Sequence, residues 1–351
     1  MTDASSAGAR NEVAITAFAP PSVVVSVVAV VVVFAVAVAA SPARADRPRD
    51  TPTAIEVDRD SAPAGRVGPG FDDGAPVDAW GVSLRAGWIE RPIELPAGAF
   101  GGGSPASRPV RRRETLALGA ALALGERIAV DLLLRASHQI GDRLTAAGNP
   151  APLARRVFHD VRLGGRVRIV GGRARAALVR GELTLPTGDD QQLAGDARWT
   201  LAWSLIGRAV LAHDIAIAGT AGIRLHGAEV AVGDRLIGDA LFAAAGASVP
   251  LPALGLSGAA ERIAVTGELL GALGDHVGDL AGPSPVEARI GAQMQLSPEL
   301  AIGVHAGAGL GDQIGAPRFR ALLEVAWAPR AHRRPEPAPP APPPEDPDDE
   351  P

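Results

Sequence analysis

The segment from Pro285 to Ala328 alternates between apolar and polar positions with a period of two. From Val286 to Leu296 every even position is apolar, and the odd positions are Glu287, Arg289, Gly291, Gln293 and Gln295. After Ser297-Pro298-Glu299 the alternation resumes. Leu300, Ile302, Val304, Ala306, Ala308 and Leu310 then face one way, with Ala301, Gly303, His305, Gly307 and Gly309 opposite. A third run sets Phe319, Ala321, Leu323, Val325 and Trp327 against Arg318, Arg320, Leu322, Glu324 and Ala326. A helix does not keep that parity, whereas a strand points successive side chains to opposite faces.

The same pattern recurs upstream. Val82, Leu84, Ala86 and Trp88 alternate with Ser83, Arg85 and Gly87, and a Gly/Pro/Arg segment follows as far as Arg113. Leu116 to Leu124 and Ile128 to Leu134 form a hairpin about Gly125-Glu126. Val161 to Ile169 and Ala177 to Leu185 form another about Gly171-Gly172, after a polar loop from Gln139 to Arg156. Trp199 to Leu205 and Ile215 to Leu225 follow, joined at His213-Asp214. The run Ile237 to Val249 is too Ala-rich for its faces to be assigned, and Pro250 to Leu256 turns it into Ile263 to Leu269. Connections alternate short and long: the short ones lie near Gly125, Gly171, Ala212, Leu251 and Pro298, the long ones near Gly102, Ala146, Asp190, Glu229, Gly278 and Ile314.

About twelve strands with one apolar and one polar face predict an all-β chain, a transmembrane antiparallel up-and-down β-barrel. A strand of about 11 residues rises roughly 36 Å and, tilted by about 40°, covers the apolar band of about 25 Å. Slipping the register by one would turn Glu287, Arg289, Arg320 and Glu324 to lipid, at roughly 2–4 kcal/mol for each basic residue near the midplane. The competing readings are an Ala/Leu-rich helical protein and a soluble periplasmic β protein. Gly recurs within nearly every strand, which disfavours the helical one.

Composition adds the compartment. Residues 1–45 read as a signal peptide: Ser22 to Ala40 is an apolar run and Ala43-Arg44-Ala45 a small-x-small cleavage site, although the run is long enough for an uncleaved anchor. Residues 46–78 read as a flexible periplasmic lead-in, 79–329 as the barrel, and 330–351 as a Pro-rich, acidic, disordered tail. An even strand count places both termini in the periplasm, with the barrel in the cell outer membrane. No cysteine is present, so there is neither a disulfide framework nor a thiolate. The formal charge of −5 is unlike that of a nucleic-acid binder.

Residues 81–329 resemble the N-terminal barrel of large OmpA-like outer-membrane proteins and, more broadly, outer-membrane transporters. Thr115 to Arg127, Leu183 to Asp189 and Gly309 to Arg320 carry the resemblance, in that order along the chain. It implies a Pro-rich linker and acidic repeats after the barrel, and Pro344 to Glu350 resembles the start of such a region. The peptidoglycan-binding domain of that family has no counterpart in the sequence given.

Inward positions would line the lumen with Arg85, Asp131, Arg135, Arg162, Arg166, Arg168, Arg180, Glu182, Arg224, Glu268, Glu287, Arg289, Arg320 and Glu324. These either bias a water-filled pore toward anions or pair into ladders that fill the barrel. Tyr is absent, and four of the few large rings fall at strand ends, where they read as membrane-interface aromatics or as chance placement: Trp80 and Trp327 at one end, Trp199 and Phe319 at the other. Arg111-Arg112-Arg113 would meet lipopolysaccharide phosphates or form a solvated basic cluster, and Gly101-Gly102-Gly103 reads as a flexible external loop. The function expected is a passive pore or structural envelope component, not an enzyme. The alternative of a barrel-embedded lipid hydrolase rests on Ser137-His138, whose side chains point to opposite faces of a strand. No cofactor or metal site is expected. The expected partners are outer-membrane lipid and lipopolysaccharide, the barrel assembly machinery, and cell-wall or periplasmic contacts through the tail.

Overall fold

The structure is a computed structural model. It describes residues 80–95, 107–125, 127–141, 153–172, 174–189, 192–195, 198–226, 230–232, 235–273, 285–310 and 316–328, all within one compact unit, residues 42–351. The expected signal peptide, lead-in, tail and Gly101–Gly103 loop lie outside the described residues.

Twelve antiparallel strands close into a barrel. In chain order they are β1 (Trp80–Leu95), β2 (Ser107–Ala123), β3 (Ile128–Ile140), β5 (Val161–Gly171), β6 (Arg175–Leu185), β7 (Thr200–Val210), β8 (Ala216–His226), β11 (Ala240–Pro250), β12 (Ile263–Leu273), β13 (Val286–Gln295), β14 (Leu300–Gly309) and β15 (Phe319–Trp327). Each pairs with its chain neighbour, and β1 closes the ring on β15 with Val82 opposite Trp327 and Glu90 opposite Phe319. No strand edge of the ring is left open, so every backbone group along it has a partner strand, as a hydrocarbon surround requires. Three short strands stand outside the ring count. β4 (Arg156–Phe158) pairs with the end of β3, and β9 (Val230–Val232) pairs with β10 (Arg235–Ile237) in the connection between β8 and β11.

The outer face of the barrel is apolar, and the buried inner face mixes charged side chains with apolar ones such as Leu133, Ile206, Leu270 and Leu322. Leu84, Trp88, Leu116, Leu118, Leu205, Ile290, Val304 and Leu323 are exposed, whereas Arg85, Arg113, Glu287, Arg289 and Arg320 are buried. Registry transmits this parity around the ring: Arg85 stands opposite Glu324, and Leu84 opposite Val325 and Leu118. The Ala-rich strand β11, whose faces the sequence left open, takes its parity from its neighbours. Phe242, Ala244 and Ser248 are its buried positions, opposite Gly222, Thr220 and Ala216 of β8.

Connections alternate as expected, with two differences. The connection from β11 to β12 spans Leu251 to Arg262 and contains two 3-10 turns, so it is longer than the turn expected at Pro250 to Leu256. In contrast, the supposed loop around Gly102 is shortened, because β1 runs to Leu95 and β2 begins at Ser107. Two register shifts after Glu90 hide this extension from a period-two reading, and Arg91 adopts a left-handed φ of 50° beside Pro92. Gly171, at φ 89°, sits in the left-handed region at the turn between β5 and β6, where a side chain would be strained.

Candidate functional site in the barrel interior

All fourteen residues expected in the lumen occupy inner-face positions. Arg85, Arg166, Arg180, Glu268, Glu287, Arg289, Arg320 and Glu324 are buried, and Asp131, Arg135, Arg162, Arg168, Glu182 and Arg224 are half-buried. Arg113, Arg208 and Asp160 join them, also buried. Arg208 was legible in principle, since it continues the parity of Ala202, Ser204 and Ile206 by one more step. Arg113 was obscured because β2 starts earlier than the alternation does. Among the described residues the inner face therefore carries eleven arginines and six carboxylates, an excess of five positive charges.

Many of these charges pair along the wall, and two of the pairs span a strand. Glu287 on β13 is the hub of one. Its Oε1 accepts from Arg289 Nε at 2.6 Å and from Arg320 Nε at 2.9 Å, and its Oε2 from Arg320 Nη2 at 3.2 Å. Arg320 lies on β15, so the bond passes over β14, between strands roughly 9–10 Å apart. Gly307 of β14 stands opposite both Arg289 and Arg320, and a Cβ there would come within 2.7 Å of Arg289 Cγ. The second pair repeats the device. Arg180 on β6 reaches Asp131 on β3 through two bonds of 2.5 and 2.8 Å, over Gly164 of β5, where a Cβ would fall 2.3 Å from Asp131 Oδ1. Glycine is required at both positions because the ion pair lies flat on the backbone. Arg85 and Glu324, directly opposite on adjacent strands, bond at 2.8 Å without such a notch.

The long-loop end of the barrel holds a folded-in segment. Arg113 Nη2 donates to Leu193 O at 2.7 Å, and Gln139 Nε2 donates to Gln192 O at 2.9 Å. Gln192 Oε1 in turn accepts the amide of Ala154. Arg113 and Gln139 are inner-face residues, so residues 192 and 193 sit within the mouth. Leu193 packs against Ile93, Val110 and Leu153, and it adopts a left-handed φ of 58° to do so. Asp160 anchors the start of the segment by accepting the Gly188 amide at 2.7 Å, and a Cβ at Gly195 would meet the same carboxylate at 2.6 Å.

Asp160 reaches that position through a bulge. Between Phe158, opposite Ala136, and Arg162, opposite Leu133, three residues face two on β3. The bulge also brings His159 inward, with Nε2 2.6 Å from Ser137 Oγ, both side chains buried. Ser137 and His138 thus part as strand alternation demands, and His138 turns outward to lie 3.4 Å from Glu114. The basic triplet 111–113 divides similarly, which corrects its reading as one cluster. Arg113 is fully buried within the barrel, Arg112 lies over the exposed Trp88 ring at 4.9 Å, and Arg111 is exposed.

Of the four strand-end aromatics, Trp80 and Trp327 meet edge to face with centroids 4.7 Å apart at the seam where the ring closes. Trp199 and Phe319 lie exposed at the opposite end of their strands.

Among solved structures, the chain is similar to an outer-membrane channel from Pseudomonas putida F1, with 15% identity and a TM-score of 0.51 over 75% of this chain and 99% of that one. The fold is that of an outer-membrane barrel. Two more distant likenesses are the NanC porin, at 6% identity and a TM-score of 0.45 over 70% of this chain and 98% of that one, and the KdgM porin in complex with oligogalacturonate, at 7% identity and a TM-score of 0.41 over the same shares. No protein-family profile and no curated protein sequence matches this barrel.

Proposed function

We propose that the chain is an outer-membrane barrel that acts as a narrow passive pore, with residues 187–189 and 192–195 narrowing its external mouth. The observation that carries this reading is the inverted burial pattern of a closed twelve-strand ring, with leucines and tryptophans on the outside and ion-paired arginines and carboxylates within. Such a surface is stable only against hydrocarbon, and such an interior only where polar groups find one another or water. The wall-lying geometry of the Glu287 and Asp131 pairs supports a passage over a filled scaffold, because each pair links strands two apart around the wall instead of reaching across the axis. Export by a signal peptide, periplasmic termini, assembly by the barrel machinery and contact with lipopolysaccharide complete this reading. Kinship with large OmpA-like proteins would rest on Thr115 to Arg127, Leu183 to Asp189 and Gly309 to Arg320, with the acidic stretch Pro344 to Glu350 beside them.

Recovery in the outer-membrane fraction, heat-modifiable gel mobility and stepwise conductance in planar bilayers are the expected results. A protein that stays in the soluble fraction would overturn the barrel reading, and a folded barrel without conductance would overturn the pore. The 2.6 Å approach of Ser137 to His159 favours one rival, a hydrolase. Both residues face the barrel interior, away from lipid acyl chains, so purified protein is expected to leave phospholipids intact. Hydrolysis abolished by Ser137→Ala would establish the rival.

A further inference from the structure

The inner charges are unevenly distributed around the ring. The wall formed by β12 to β15 with β1 and β2 carries four arginines and three glutamates, nearly balanced and closely paired. The wall from β3 to β8 carries seven arginines against three carboxylates, and β11 between them has no charged inner residue. On β5 alone, Arg162, Arg166 and Arg168 share the inner face, marking a line of roughly 20 Å along the strand. In pairing register Arg208 extends the line past Arg168 toward the short-turn end, and Arg224 stands level with Gly164, between Arg162 and Arg166, so the arginines widen the positive wall across β5 to β8.

The placement of Arg166 is opposed by local energetics. It stands directly across from Arg180, and like charges in that position destabilise a strand pair. Arg180 bonds both Asp131 and Glu182, so two of this wall's three carboxylates gather on one of its seven arginines. We infer that this arginine wall is a track for anions, and that the pore passes small acidic solutes, carboxylates or phosphates, in preference to cations. The inference rests on the pore reading above and adds to it the class of solute. Its physical basis is a fixed positive field along one side of a water-filled passage, which concentrates anions and repels cations.

The test is the reversal potential of the purified, folded protein in a planar bilayer under a potassium chloride gradient. Chloride is expected to permeate more readily than potassium. Arg166→Glu with Arg168→Glu lowers the inner excess from five charges to one and is expected to bring the permeability ratio close to unity. Arg166→Gln with Arg168→Gln lowers it to three and should fall between, providing a milder variant if the first does not fold. Arg85→Gln with Glu324→Gln removes one charge of each sign and should leave the ratio unchanged. The preference should also fade as salt rises from about 0.1 to about 1 M, where the screening length falls from about 10 to about 3 Å. Conductance that prefers potassium, or a chloride preference that neither responds to the arginine variants nor fades with salt, would overturn the inference and leave the pore standing. Absence of conductance from the folded wild type would remove both.

Discussion

Replacing Glu287 with alanine removes the shared acceptor of two arginines. Glu287 is fully buried, and its oxygens take three bonds, one from Arg289 and two from Arg320. Both arginines are themselves all but inaccessible, with side-chain exposure of 1%, so neither can recover the loss by turning to bulk water. Glu268, 3.9 Å from Arg289 Nη1, offers that residue partial compensation. Breaking a buried pair by removing one partner typically costs about 3–5 kcal/mol. Glu287→Ala is therefore expected to destabilise the barrel by about that amount. The assay is urea unfolding of the protein in lipid vesicles, followed by tryptophan fluorescence and checked by heat-modifiable gel mobility. A double-mutant cycle with Arg320→Ala should return a coupling of about 0.5–3 kcal/mol, because the second substitution removes one of the two stranded charges. A loss under about 1 kcal/mol with no coupling would refute the reasoning, for it would mean that water already solvates this pair. Gly307→Ala gives an independent reading of the same geometry. Its Cβ must displace Arg289 Cγ or the Ala288 carbonyl, so it should destabilise although alanine suits a strand better than glycine.

Three further outcomes follow from other parts of the barrel. Leu118, exposed on the outer face of β2, should tolerate alanine, whereas Leu118→Arg should cost about 2–4 kcal/mol if that face meets the bilayer midplane, as measured by the same unfolding assay. Arg113→Ala removes the donor to Leu193 O and the bonds to Gln139, so residues 192–195 should lose their seat and single-channel conductance should rise; an unchanged conductance would separate them from the passage. Trp80→Ala should weaken the closure of β1 on β15 by about 0.5–1.5 kcal/mol beyond its area loss, and little of that increment should remain once Trp327 is already alanine.

Period-two alternation alone made the strands legible, because lipid outside and polar groups inside impose opposite demands on neighbouring residues. The same demand fixed the inner face of each strand, so Arg85, Glu287 and Arg320 could be placed by counting. Alternation failed where one of the two demands was missing. The Ala-rich β11 offers no contrast between its faces, and its parity came only from pairing with β8 and β12. Past Glu90 and Arg113 the strands leave the regular register, and the register shifts concealed their extension.

Pairing was beyond the sequence for a different reason. Glu287 finds Arg320 33 residues later, and Asp131 finds Arg180 49 residues later, each by reaching over an intervening strand. Those contacts exist only once ring closure fixes the stagger and a glycine clears the way, so no local pattern encodes them. The inward fold of residues 187–189 and 192–195 is of the same kind, since Arg113 of β2, Gln139 of β3 and Asp160 of the bulge before β5 hold it. The sequence by itself determined which side chains face inward, through the chemistry of each residue against its surroundings. Only the tertiary structure decided which of them meet, because that depends on distances between strands far apart in the chain.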